Sequence, residues 1–126
     1  MQYLILLPGL IHVYIFVLES FLWGRPSTNK TFGLKPDDTA ATKPLAFNQG
    51  FYNLFLAVAV LGGFSLRQGF PAFAQGAVAG QTVLLFGLGA IIAAGLVLLV
   101  SSPRLWRSAL IQIVPAGVGA AAAFLS

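Results

Sequence analysis

The chain has 126 residues, 58% hydrophobic and only 8% charged, with a net charge of +4 and a mean hydropathy of +0.89. A soluble domain carries about a quarter charged residues, so this chain cannot cover a water-facing surface. Its seven basic residues fall between apolar runs, which argues against a nucleic-acid surface, and the absence of cysteine removes disulfides, thiolate metal sites and cysteine nucleophiles together.

A membrane span takes roughly 20 apolar residues. Four spans with short connections use nearly the whole chain, predicting an all-α bundle of four transmembrane helices and a single domain over residues 1–126. The first span is predicted over about residues 2–23. It lacks a basic leader segment and a small-x-small cleavage site, and so reads as a retained anchor. Pro8 should bend or loosen its first turns, and Gly24-Arg25-Pro26-Ser27 ends it. Tyr3 and Trp23 at its two ends suit interfacial aromatic belts.

Residues 24–47 form the longest connection. Within it, Pro36-Asp37-Asp38 should start a short surface helix, capped by Asp37 or Asp38 and ended by Pro44. This connection reads first as a solvated connector and second as a lid. The second span is predicted over about residues 48–66, stopped by Arg67. Residues 68–80, with Gly69, Pro71, Gly76 and Gly80, make a turn and approach. The third span, about 82–100, holds no ionisable residue. Ser101-Ser102-Pro103-Arg104 turns into the fourth, about 105–126.

The basic residues are unevenly shared. Arg25, Lys30, Lys35, Lys43, Arg104 and Arg107 lie on one side, against Arg67 on the other. The positive-inside rule then puts both termini away from the cytoplasm. Within lipid, hydrophobicity does not pull helices together, so small residues must supply close contact. Ala59/Gly63, Gly89/Ala93, Ala90/Ala94 and Gly117/Ala121 have the required spacing. They serve either packing within one bundle or a dimer, and Gly89 with Ala93 is expected to hold the third span.

Polar residues inside spans are costly in lipid, and an intramembrane carboxylate is a functional-site candidate by default. Glu19 sits about one turn inside span one. His12 lies seven residues earlier on nearly the same face, ~10 Å away in depth. Antiparallel folding brings Gln49, Asn53 and Gln112 to the depth of Glu19. The candidate site is thus Glu19 with His12 as acid/base residues, and Gln49, Asn53, Gln112 and Tyr52 as ligand-binding residues. Each also has a structural reading: a satisfied core histidine for His12, a protonated structural acid bonded to Asn53 or Gln112 for Glu19, interhelical hydrogen bonds for Asn53 and Gln112, and packing for Tyr14 and Tyr52. One His and one Glu are too few for a zinc site. No phosphate loop or serine-hydrolase motif occurs, so neither metal nor cofactor is implied.

At these residues the sequence resembles a known family. The resemblance rests on His12-Val13-Tyr14-Ile15, Leu18-Glu19, Phe21-Leu22-Trp23, Phe32-Gly33, Asn48-Gln49-Gly50-Phe51-Tyr52-Asn53 and Gln112-Ile113-Val114-Pro115-Ala116. The family comprises small four-span membrane proteins of unknown function, mostly bacterial, and the resemblance covers the whole chain. It implies a four-helix membrane fold and no activity. Family members often carry an acid just before the histidine, where this chain has Ile11, which puts in doubt any proton relay needing two acids.

Three functions follow from these residues. The first is a pocket for a small lipophilic molecule, with acid/base chemistry of isomerase, cyclase or hydrolase type as an extension. The second is a small proton-coupled transporter, against which the strong charge bias speaks. The third is a structural or accessory subunit. The expected partners are the bilayer, a small lipophilic ligand, and a homo-oligomer or larger membrane complex, but not nucleic acid.

Overall fold

A computed structural model describes residues 1–70 and 76–126. The described residues form five α-helices and no strand: α1 (Leu6–Ser20), α2 (Pro26–Phe32), α3 (Thr39–Arg67), α4 (Ala77–Ser101) and α5 (Trp106–Leu125). Short 3-10 turns over Gln2–Ile5, Pro36–Asp38 and Pro103–Leu105 lead into α1, α3 and α5. With those turns, α1, α3, α4 and α5 are each long and apolar enough to cross a membrane. The chain is therefore a helical bundle of the integral membrane class.

Local rules account for most of the ends. Pro8 falls in the first turn of α1, where a missing N–H costs no intrahelical bond. Pro26 opens α2 at a position that suits proline's fixed φ. Gly33 closes α2 with φ 65°, its N–H bonded to the Lys30 carbonyl and that of Leu34 to the Asn29 carbonyl. This pair of bonds is a Schellman cap, and it needs the left-handed residue that glycine supplies.

Two parts of the long connection differ from expectation. The segment 26–32 is helical, although it is too short and polar to show an apolar period. Further on, Pro44 does not end a separate surface helix: Thr39–Arg67 runs unbroken with Pro44 inside it. Pro44 lies near the start of that helix and is exposed, so water can take up the carbonyl that loses its donor. Asp38 occupies the N-cap position but makes no side-chain cap bond. Thr42 ties the turn instead, donating to the Asp38 carbonyl at 2.7 Å and accepting from Trp23 Nε1 at 3.1 Å. The second span thus extends nine residues before its expected start at 48. Gly76 caps α4 and Gly80 lies within it, while Pro71 lies outside the described residues.

Helix α3 packs on α1 and α4, and α4 packs on α5. Helices α1 and α5 meet mainly through the turn at Gln2–Ile5. The core gathers at this terminal end, around Ile5, Val60, Phe64, Leu84, Leu88, Ile91 and Ala116. Backbones approach closely there. A Cβ on Gly63 would lie 2.6 Å from the Leu84 nitrogen, and one on Gly80 would collide with the Arg67 backbone.

The expected packing face of α4 is corrected by the same geometry. Gly89 and Ala93 are exposed, and nothing lies within 4 Å of a Cβ placed on Gly89. The packed face carries Gly80, Leu84, Gly87, Leu88, Ile91 and Gly95. Small residues recur on several sides of a helix that is apolar all round, so spacing alone did not select the contact side. Of the other pairs, Ala59/Gly63 does face α4, whereas no described residue lies within 4 Å of a Cβ placed on Gly117, and Ala121 is exposed.

Candidate functional site

Glu19 lies in the last turn of α1. A carboxylate is poorly placed there for helix stability, because the carbonyl end of the helix dipole repels negative charge. Its position is set by α3. Gly50 lets α1 come close: a Cβ there would collide with the Ser20 hydroxyl and sit 3.1 Å from the Phe16 carbonyl oxygen. One turn further along α3, Asn53 reaches the carboxyl, and its Nδ2 donates to Glu19 Oε2 at 2.6 Å. The same Nδ2 donates to the Gln49 carbonyl at 3.2 Å. Both Glu19 and Asn53 are buried. The two polar side chains that the sequence places at one depth therefore meet directly.

Beside this pair lies a cavity of about 360 Å³. Helix α1 contributes Ile11, Tyr14, Ile15, Leu18 and Glu19, and α3 contributes Gln49, Asn53 and Leu56. Ala94 and Leu98 of α4 form an apolar wall. Ser108, Ile111 and Gln112 of α5 face α1 across the space. Thr31 and Phe32 of α2, with Leu105, line it at the end that carries the basic connections. Thr31 and Phe32 thus make the long connection part of the cavity wall.

Glu19, Gln49, Asn53 and Gln112 all line this cavity. Gln112 is only loosely held, with Nε2 at 3.5 Å from the Ser108 carbonyl. Glu19 and Gln49 also face an adjoining open groove with Trp23 and Thr42. His12 and Tyr52 stand apart from the cavity lining. His12 is fully buried, and its Nδ1 donates to the Pro8 carbonyl at 2.9 Å. That bond puts the proton on Nδ1 and leaves Nε2 as an acceptor with no partner among the described residues. Seven residues return nearly to the same side of a helix, but they also move His12 toward the tightly packed end. Tyr52 is exposed, with its ring against Phe55. It sits about 100° around the helix from Asn53, which shares its side with Gln49 instead.

Sequence reasoning did not place Ser108, Thr31 or Phe32 in the site. Ser108 carried a readable signal, lying one turn before Gln112 and on the same side of α5. Thr31 carried none and Phe32 entered only through the Phe32-Gly33 motif of the resemblance, because the helix that presents them was not anticipated.

A family model described as "Protein of unknown function (DUF1304)" matches residues 6–124. The chain belongs to this family, which fits the resemblance carried by its motifs. The match takes in all four long helices and the whole cavity. No curated protein and no solved structure matches the chain.

Proposed function

We propose that this protein binds a small lipophilic molecule in the cavity between α1 and α5, with its polar part against Glu19 and Asn53. The observation that carries this reading is the cavity itself: about 360 Å³, walled mainly by apolar side chains around one buried carboxyl–amide pair. Small-molecule sites run from roughly 300 to 1,000 Å³ and have this make-up. Tyr14 on α1 and Ile111 on α5 line the cavity and are also exposed. Their exposure supports a sideways route into the cavity for a molecule dissolved in the bilayer.

Binding is favoured over turnover. Glu19 and Tyr14 are the titratable side chains in the lining, whereas His12, the expected partner in acid/base chemistry, is bonded to Pro8 elsewhere. Glu19 thus serves as an anchoring residue, with Asn53, Gln49 and Gln112 orienting the ligand. In this reading the cavity end, with its six basic residues, faces the cytoplasm and both termini lie across the bacterial inner membrane. Reporter fusions at Ser126 and in the Lys30–Lys43 segment test that orientation, and a cytoplasmic signal from the terminal fusion contradicts it.

The binding reading is tested by filling the cavity. Ala94 lines it and is not part of the buried core, so Ala94→Phe should occupy the space without disturbing the helix contacts. Native mass spectrometry of wild-type protein released from membranes should show a bound small molecule that the variant lacks. Identical spectra from two equally stable proteins would contradict the reading.

A further inference from the structure

We infer that the bound molecule carries a positively charged amine head, held by the Glu19 carboxylate and the Asn53 carbonyl oxygen, on an apolar body. This rests on the reading of the cavity as a binding site and adds the chemical class of its ligand.

An asparagine amide has two N–H hydrogens. Asn53 directs them to Glu19 Oε2 at 2.6 Å and to the Gln49 carbonyl at 3.2 Å. Its capacity left over is Oδ1, an acceptor. An ionised carboxylate only accepts, and Glu19 Oε1 has no protein partner among the described residues. Thr31, also in the lining, gives its hydroxyl proton to the Ser27 carbonyl at 3.0 Å. It too has only acceptor capacity left. Glu19 Oε1, Asn53 Oδ1 and the Thr31 hydroxyl oxygen are thus left as acceptors in the lining, where a donor on the ligand can meet them.

Charge points the same way. No Lys, Arg or His side chain lines the cavity. The six basic residues at this end are all exposed, on the outer surface of the bundle. A largely buried carboxylate is costly without a counter-charge, and a ligand acid beside it would add repulsion. An ammonium group supplies both the missing charge and the missing donors. The rings of Tyr14 and Phe32 line the same space and favour a cation near their faces. Donors on Gln49, Ser108 and Gln112 remain for one acceptor group elsewhere on the molecule.

Three probes of matched shape separate the possibilities: 4-phenylbutylamine, 4-phenylbutan-1-ol and 4-phenylbutyrate. They are titrated calorimetrically into the full chain in lipid nanodiscs, with empty nanodiscs and the Ala94→Phe protein subtracted. The amine should bind about tenfold or more tighter than the alcohol, and the acid should bind weakest. Glu19→Gln keeps an acceptor for Asn53, so it should erase the amine's advantage while the alcohol still binds, which also shows that the fold survives. Equal binding of amine and alcohol by the wild type, or an amine preference that survives Glu19→Gln, overturns the inference and leaves a neutral-ligand site standing. If no probe binds the wild type better than Ala94→Phe, the cavity reading falls, and this inference with it.

Discussion

At the end of the bundle where the chain starts and stops, α3 and α4 are separated by no side chain at Gly63, and Gly119 lies against Ile5. At the other end, Glu19, Asn53 and Gln112 project between the helices, and about 360 Å³ stays open. The terminal end holds through close backbone contact, the means of association that lipid leaves available. At the cavity end that contact persists between α1 and α3 at Gly50, while the space lined by α1 and α5 stays open beside one buried hydrogen bond. A membrane bundle optimised for stability alone would close at both ends. The open end is therefore where function is to be sought, and the closed end is what permits it to stay open.

Substitutions at the two ends should separate these roles. The largest effect is expected at Gly63. Gly63→Ala puts a methyl group 2.6 Å from the Leu84 nitrogen, so α3 and α4 must shift. Overpacking of this kind costs about 1–3 kcal/mol, occasionally more, read as a lower midpoint in detergent unfolding. The neighbouring Gly62→Ala, with nothing within 4 Å, is the matched control.

At the cavity end, Asn53→Leu removes the donor to a buried carboxyl. A loss of about 1–3 kcal/mol is expected in the same unfolding assay. Adding Glu19→Leu should recover part of that loss, since removing both partners is gentler than removing one. No recovery in the double variant would mean that the two side chains are not coupled.

Smaller again is Trp23→Phe, which removes the bond to Thr42 and should cost about 0.5–1.5 kcal/mol. Its sharper readout is faster hydrogen exchange over Pro26–Phe32, because the Trp23 ring also packs on Phe32 at 5.1 Å. The smallest effect is expected for Gly89→Leu, whose site faces outward with open space around it. Stability should change by no more than about 0.5 kcal/mol, and a large loss would show that this face meets another chain.

The four long helices were legible because lipid demands runs of apolar residues, and the first three runs end at or near Arg, Pro or Gly. The meeting of Glu19 with Asn53 was legible too, because antiparallel neighbours convert sequence position into depth. What periodicity could not supply was rotation. Gly89 and Ala93 have the spacing of a contact face, yet α4 is apolar on every side and packs through Gly80, Gly87 and Gly95 instead. His12 was grouped with Glu19 by helical repeat, although it sits where the helices have already closed. The cavity's far wall was hidden for a different reason. Pro26–Phe32 is a seven-residue helix held by a proline start and a glycine stop, with no apolar stripe to announce it.

The central claim is that the space between α1 and α5 is a ligand site and not a packing fault. Its most direct test is a high-resolution structure of the wild-type protein in lipid nanodiscs, solved beside Ala94→Phe. Non-protein density against Glu19, Asn53 and Gln112 is expected in the wild type and should be absent from the variant. A wild-type bundle in which α1 has closed onto α5, bringing Leu18 against Gln112 with nothing between them, would contradict the claim.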